Sequence, residues 1–177
     1  MHALWKDYFE LLMEFEGTVF ENDPADPGGA TKFGIDQRSH PDVDIKSLTK
    51  AGAERIYLAE FGKSAAAHFP APVSFVYFDL AVNAGESQAA KCLQRALGLK
   101  QVDGVVGSKT LANANAMITR GEAGKLLLKL SAQRELFYMN LAHTKPRMNR
   151  FLKGWLRRAK AIHLWAVARL NEGGMEQ

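Results

Sequence analysis

The segment from Pro72 to Asn83 is apolar on nearly every side, and it constrains the fold of this chain more than any other stretch. Its apolar residues do not alternate with polar ones, as they would in a half-buried strand. They surround a helix axis, which is typical of a helix at the centre of a core. Asp79 interrupts this run, which is shorter than the roughly 20 apolar residues needed to cross a bilayer. We therefore expect a globular fold around this helix, and no stable insertion in a membrane.

Helical periodicity continues on both sides of this segment, and no convincing alternating strand is present. Seven helices are predicted, at residues 3–16, 50–61, 72–83, 87–97, 109–117, 122–142 and 149–170, with Thr49 and Ser108 as caps. Tyr57 belongs to the apolar stripe of the second helix. We predict a mainly α fold with a soft boundary near residue 86, which separates an N-terminal lobe, 1–86, from a helical lobe, 87–177.

Residues 21–34, ENDPADPGGATKFG, interrupt the helical pattern with two prolines and three glycines. Such a composition predicts a long loop, tight turns or a small hairpin. Irregular segments of this length in compact domains are commonly functional. The stretch therefore indicates where a site could lie.

The net charge is +4, and the surplus is concentrated near the C-terminus. No acidic residue lies between Leu136 and Asn171, a segment with eight basic ones: Lys145, Arg147, Arg150, Lys153, Arg157, Arg158, Lys160 and Arg169. Such a segment favours a polyanionic partner, which could be nucleic acid, anionic lipid or an acidic cell-wall polymer. A solvated face that keeps the protein soluble is the alternative.

Several classes of chemistry are disfavoured by the remaining residues. The five histidines have no metal-ligand spacing, and neither a phosphate-binding loop nor a dinucleotide fingerprint occurs, so no metal or cofactor is expected. No serine lies in a G-x-S-x-G context. Cys92 is the only cysteine and cannot form an internal disulfide, which is compatible with a reducing cytoplasm.

Glu16 is the one carboxylate on the apolar face of the first predicted helix. At 100° per residue it falls between Trp5 and Phe9, whereas Glu10 and Glu14 fall on the polar face. Burial disfavours the ionised form of a carboxyl group, so this position suits a general acid. A frayed helix end or a salt bridge to an arginine would explain the position equally well.

The residues after Glu16 favour the catalytic interpretation. Glycosidic cleavage requires one protonated carboxyl on the leaving oxygen, and polar groups opposite that position water or stabilise the transition state. Asp23, Asp26 and Thr31 are the candidates for these groups. Glu21 competes for the role of second carboxylate, although a solvent-facing loop residue is the interpretation we favour for it. Both aspartates precede a proline and are also typical of turns, which is the interpretation we favour for Asp23.

The stretch from Glu16 to Ile35, EGTVFENDPADPGGATKFGI, resembles the signature of glycoside hydrolase family 108. This family comprises N-acetylmuramidases found as phage endolysins and related bacterial lysozyme-like proteins. Four later segments resemble its companion peptidoglycan-binding region: DLAVNAG (79–85), LQRALG (93–98), VDGVVGSKTL (102–111) and FLKGWLRR (151–158). The chain departs from the family at residues 18–20, where Gly and Tyr usually follow E-G, although Phe20 could supply the aromatic ring.

The resemblance implies a lysozyme-like helical fold and assigns Glu16 to the family's catalytic glutamate. In phage-type lysozymes an active-site aspartate and threonine follow this residue, and Thr31 has the corresponding separation from it. Asp26 is the nearest match for the aspartate, because Ala25 stands at the expected spacing. The implied activity is a peptidoglycan hydrolase that cleaves the β-1,4 bond between N-acetylmuramic acid and N-acetylglucosamine. A lytic transglycosylase and a non-catalytic cell-wall-binding module remain the alternatives.

The same hypothesis gives a partner and a place of action. Bacterial peptidoglycan is the expected partner, and nucleic acid is not, since no recognised motif accompanies the basic segment. Charged residues interrupt the first 17 positions, so no signal-peptide core is expected there. We expect a phage or prophage protein made in the bacterial cytoplasm that reaches the wall through a holin-like pore or another export route.

Overall fold

The computed structural model describes residues 4–22 and 28–173, with side chains described as far as residue 170. Asp23 and Asp26 lie outside the described residues. The elements are α1 (Trp5–Glu16), β1 (Thr31–Lys32), β2 (Ile35–Asp36), α2 (Lys50–Lys63), α3 (Val73–Ala84), α4 (Glu86–Ala96), α5 (Ser108–Thr119), α6 (Ala123–Thr144) and α7 (Asn149–Gly173). Short 3₁₀ turns span Ala65–His68 and Pro146–Met148. The predicted mainly α class is confirmed.

Each predicted helix is present among the described residues, with ends shifted by a few positions. Thr49 caps α2 as predicted, because its Oγ1 accepts a hydrogen bond of 3.1 Å from the backbone N–H of Gly52. Ser108 is not a cap, since it is the first residue of α5 and Gly107 precedes it as the N-cap. By its internal contacts the chain divides into two units, residues 1–63 and 64–177.

The first unit buries one face of α1 against α2. Trp5 and Phe9 of α1 are buried, as are Tyr57 and Phe61 of α2. The ring centroids of Trp5 and Phe61 lie 5.7 Å apart, and those of Phe9 and Tyr57 lie 6.1 Å apart. Packed aromatic rings stabilise a fold by more than the burial of their apolar area alone would give. These contacts fix α1, the helix that ends at Glu16, relative to α2.

The irregular segment between these helices contains the small hairpin that the sequence allowed. Strands β1 and β2 are antiparallel, and Thr31 pairs with Asp36. The two residues of the turn both have positive φ angles, +55° for Phe33 and +73° for Gly34. Positive φ at both central positions is typical of the type I′ turn, whose twist matches that of the flanking strands. The turn is therefore tight, and Gly34 suits it because glycine has no Cβ.

The second unit is built around α3, which is buried from Val73 through Leu80 as its apolarity predicts. It contacts α4, α6 and α7. Arg158 of α7 is only 4% exposed and is bound to Asp79 of α3. The expectation that all eight C-terminal basic residues face a polyanionic partner is therefore wrong for Arg158. No helix in the described part of the chain is both long and apolar enough to span a membrane.

Candidate active site

Glu16 is the last residue of α1 and the only half-buried carboxylate on that helix. The helix's other carboxylates, Asp7, Glu10 and Glu14, are exposed. The Oε1 atom of Glu16 is itself buried. Helix α1 ends here because Gly17 adopts a φ of +74°, a conformation that L side chains rarely adopt. The chain thus leaves the helix axis directly after Glu16, and the carboxylate lies at the edge of the packed face of α1.

The carboxyl group of Glu16 lies against the turn of the hairpin. A Cβ atom built on Gly34 would stand 2.5 Å from Oε2 of Glu16 and 2.7 Å from the hydroxyl oxygen of Tyr57. Both distances are shorter than real Cβ contacts allow, so only glycine fits without moving a neighbour. The turn, the carboxyl group and the tyrosine hydroxyl therefore meet at one point of the first unit.

Tyr57 holds the same turn from α2. Its side chain is 2% exposed, and its hydroxyl donates a hydrogen bond of 2.9 Å to the backbone carbonyl of Phe33. Periodicity predicts only the apolar contribution of this residue. A polar contact could have been expected only on general grounds, because a buried tyrosine hydroxyl usually requires a hydrogen-bond partner.

Thr31 and Glu21 lie at the other end of the hairpin. Their backbones exchange two hydrogen bonds, of 2.9 and 2.8 Å, which makes Glu21 a short extension of the sheet. The hydroxyl of Thr31 donates to the carbonyl of Gly29 at 3.3 Å, and Thr31 is half-buried, whereas Glu21 is exposed. Asp26 cannot be placed, because it lies outside the described residues. The roles of Glu16, Asp26 and Thr31 stay predictions.

Asp36 is a carboxylate near this end that the sequence reasoning missed. It pairs directly with Thr31, and opposed residues of an antiparallel pair project to the same face. Its Oδ1 accepts a hydrogen bond of 2.9 Å from the backbone N–H of Ser39. Partial burial acts to raise the pKa of Asp36, but the hydrogen bonds from Ser39 and the charge of Arg38 outweigh it and lower the pKa. An ionised carboxylate thus stands beside Thr31.

Two of the later motifs meet in a buried ionic cluster. Asp79, from DLAVNAG, is fully buried and binds Arg158, from FLKGWLRR, through bonds as short as 2.8 Å. Arg134 of α6 approaches the other carboxylate oxygen of Asp79 at 2.7 Å. Burial acts to raise the pKa of Asp79, but Arg158 and then Arg134 hold it below its ordinary value. The cluster joins α3, α6 and α7, and it explains these motifs structurally.

The other two motifs meet at Gln94, which is 2% exposed. Its side-chain amide donates to Asp103 at 2.7 Å and to the carbonyl of Val105 at 2.9 Å, and it accepts from the N–H of Gly104 at 3.0 Å. LQRALG therefore anchors the VDGVVG loop. The hydrogen bond from Gln94 also lowers the pKa of Asp103.

Within residues 4–22 and 28–173, the structure contains no group of three or more His, Cys, Asp or Glu side chains that could hold a metal ion.

Comparisons with known proteins give two family matches and a set of similar solved structures. The family model for glycosyl hydrolase 108 matches residues 9–85, and the model for a predicted peptidoglycan domain matches residues 88–160. Twelve chains of solved structures match, among them the structure of Brucella abortus SagA. It is 30% identical, with a TM-score of 0.72, over 94% of this chain and 95% of that chain. A comparison with curated proteins gives no match.

The chain belongs to the glycosyl hydrolase 108 family and carries the predicted peptidoglycan domain after the hydrolase segment. The family resemblance and the expected lysozyme-like helical fold are confirmed. The two segments together make the protein an enzyme of the glycoside hydrolase type that acts on peptidoglycan.

Proposed function

We propose that this enzyme hydrolyses the β-1,4 bond between N-acetylmuramic acid and N-acetylglucosamine, with Glu16 as the general acid. The position of Glu16 carries the proposal, since its half-buried carboxyl group lies at a helix end against the hairpin turn. General acid catalysis of glycosidic cleavage requires a carboxyl group that the leaving oxygen of the glycan can reach, and a group at the edge of the packed face meets that requirement. The family match to residues 9–85, which include Glu16, supports the same assignment.

In the proposed reaction, Glu16 donates its proton to the glycosidic oxygen as the bond from that oxygen to the sugar's anomeric carbon breaks. A water molecule attacks the anomeric carbon and gives up a proton to a second carboxylate. We assign that carboxylate to Asp26, with Glu21 as the alternative, and we assign the positioning of water to Thr31. The antiparallel backbone pairing sets Thr31 directly opposite Glu21, and opposed residues project to the same face.

The decisive experiment is Glu16→Gln, assayed by the release of soluble fragments from purified cell walls. The amide keeps the shape of the side chain but cannot donate the proton, so the rate should fall by about 10²–10⁴-fold. Glu14→Gln is the matched control, because Glu14 lies on the same helix but is exposed. If Glu16→Gln keeps most of the parent's activity, Glu16 is not the acid and the proposal fails.

The products distinguish this activity from its alternatives. Reducing muramic acid ends are expected, as shown by reduction and mass analysis of the fragments. Anhydromuramic ends would indicate a lytic transglycosylase instead. Wall binding without any soluble product would indicate a non-catalytic binding module.

The identity of the second carboxylate has its own test. Asp26→Ala should abolish most activity, and undiminished activity would reassign the role to Glu21. Anomeric NMR of the fresh product should show inversion, because in the proposed reaction water attacks the anomeric carbon directly. Inversion requires the two carboxyl groups to be roughly 6.5–9.5 Å apart, whereas retention requires about 5 Å.

We also propose that the helical lobe, residues 87–177, holds the wall polymer through the basic surface of α7. This surface consists of Arg150, Lys153, Arg157 and Lys160, all of which are exposed. Beside it lies a groove of about 440 Å³ whose lining includes His143, Asn149 and Leu152. The carboxylates of peptidoglycan are the complementary charge.

The cellular setting is the remaining part of the proposal. A phage or prophage would supply the protein in the bacterial cytoplasm, and a holin-like pore or another route would release it to the wall. Expression in a host without phage genes should then leave the cells largely intact until the membrane is permeabilised. Spontaneous lysis, or protein found outside intact cells, would contradict this.

A further inference from the structure

We propose that Tyr57 is a positioning residue for Glu16, and that it acts by holding the Phe33–Gly34 turn against the Glu16 carboxyl group. The inference rests on the proposed role of Glu16. It assigns to Tyr57 no contact with the substrate.

Tyr57 connects α2, to which it belongs, with α1 and with the hairpin. It belongs to α2, its ring lies 6.1 Å from that of Phe9 on α1, and its hydroxyl binds the carbonyl of Phe33 in the hairpin at 2.9 Å. Helix α1 is the one that ends at Glu16. A single side chain, only 2% exposed, thus fixes the hairpin turn relative to the helix that carries the acid.

The turn is a conformation that requires such support. Phe33 has a φ of +55° and is the only non-glycine residue with a positive φ among the described residues. A bulky side chain disfavours this region of backbone space, and such a conformation persists only where the surrounding structure over-determines it. The hydrogen bond from Tyr57 to the carbonyl of Phe33 acts on this same residue. Loss of that bond should therefore let the turn relax.

Any relaxation of the turn reaches Glu16 directly. The built Cβ of Gly34 stands within 3 Å of both Oε2 and Cδ of Glu16, so the glycine forms the surface on which the carboxyl group rests. A catalytic group that moves by about 1 Å can lose on the order of 10²-fold in rate. The loss should appear in kcat, because substrate binding by the rest of the site is left unchanged.

The test is Tyr57→Phe, which keeps the ring and its packing on Phe9 but removes the hydroxyl donor. On soluble glycan fragments, kcat should fall by roughly 10-fold or more, while KM changes by less than about twofold. Melting temperatures are measured for each variant, and kinetics are run where all of them are fully folded. Tyr77→Phe is the matched control, since that buried tyrosine loses a comparable hydrogen bond of 2.9 Å to Glu86 in the second unit, and its kcat should stay at the parent's value.

A kcat equal to the parent's, or a rise in KM without a fall in kcat, overturns the inference. Glu16→Gln separates it from the proposed function. If Glu16→Gln is inactive and Tyr57→Phe is as active as the parent, only the positioning role fails. If Glu16→Gln stays active, the proposed function itself fails.

In the Glu16→Gln background, Tyr57→Phe should reduce the residual rate no further, because both changes act through the same group. Should Tyr57→Phe not fold, Gly34→Ala is the second variant, because its Cβ crowds both the Glu16 carboxyl group and the Tyr57 hydroxyl, and an unchanged kcat there would also overturn the inference.

Discussion

Glu16 in the first unit and Asp79 in the second are both carboxylates that interrupt an apolar helix face, and the structure treats them differently. Asp79 is 0% exposed and is bound by two guanidinium groups that hold its pKa low. Glu16 is half-buried at a helix end, where its carboxyl group lies against Gly34 and near the hydroxyl of Tyr57.

The difference shows what each carboxylate can do. A buried charge bound by two arginines is satisfied and remains ionised, so it organises a core but is out of a substrate's reach. Glu16 lies at the edge of the packed face beside a strained turn and is only half-buried, and strained conformations cluster at functional sites. The two positions should therefore separate stability from activity when each is replaced by its amide.

The largest effect on stability should come from Asp79→Asn. The substitution leaves Arg134 and Arg158 buried without their counter-charge, which typically costs about 3–5 kcal/mol of unfolding free energy. Urea unfolding measures the loss, and Glu16→Gln should leave the midpoint nearly unchanged. Molecules of Asp79→Asn that remain folded should keep the parent's kcat. A stable Asp79→Asn, or a destabilised Glu16→Gln, would break the comparison.

Gly34→Ala should affect both properties. Alanine at a φ of +73° costs about 1–2 kcal/mol, and its Cβ would displace the flexible end of Glu16. We expect a moderate loss of stability together with a fall in kcat. Gly98→Ala is the control, because Gly98 has a φ of +71° but no atom within 4 Å of its built Cβ. It should show the loss of stability alone, and equal kcat values for the two variants would exclude the clash with Glu16.

The stabilising effect of Asp79 should depend on pH in a defined direction. Its pKa in the folded protein lies below the ordinary value of 3.8, so the unfolded chain takes up its proton first as the pH falls. The contribution is therefore complete above about pH 4 and is lost as the pH drops through the folded-state pKa. The difference in unfolding free energy between the parent and Asp79→Asn should shrink in that acidic range. A difference that stays constant between pH 6 and pH 2.5 would contradict the ion-pair explanation.

The same two regions show how far the sequence predicts the structure. Periodicity and capping residues predict the helices, and the helical wheel predicts which side of α1 carries Glu16, because these features are local. The binding of Asp79 to Arg134 and Arg158 joins residues 55 and 79 positions apart, and no local pattern records such a pairing. Asp79 is therefore readable from sequence only as an interruption of an apolar run.

The site was predictable in part for the same reason. Glu16 and Thr31 are found through a contiguous motif that resembles a known family. Tyr57 and Asp36 are not, since only the fold of the hairpin brings them to the candidate site, one against Phe33 and the other opposite Thr31. Gly34 lies inside the motif, but only the structure shows that it faces the Glu16 carboxyl group.

The smallest effect should come from substitutions in the basic surface of α7, because its side chains are exposed to solvent. Arg157 and Arg158 are neighbours in the sequence, yet Arg157 is exposed and Arg158 is buried against Asp79. Exposed charges act through solvent, and the Debye length shortens from about 10 Å at 0.1 M salt to about 3 Å at 1 M. Substituting the whole basic surface of α7 with glutamine should weaken binding to purified walls at low salt and reduce its salt dependence.

In this binding experiment every protein also carries Glu16→Gln, so that cleavage does not remove the wall polymer to which it binds. The control replaces Lys100, Lys109, Lys125 and Lys129 by glutamine, which removes the same charge from other exposed positions of the second unit. If both quadruple variants weaken binding equally, net charge rather than the α7 surface attracts the wall. If neither does, the basic face only solubilises the protein. Hydrolysis of a small soluble glycan, measured with Glu16 unchanged, should change little in either set, because exposed charges act on the encounter with a polyanion and not on bond cleavage.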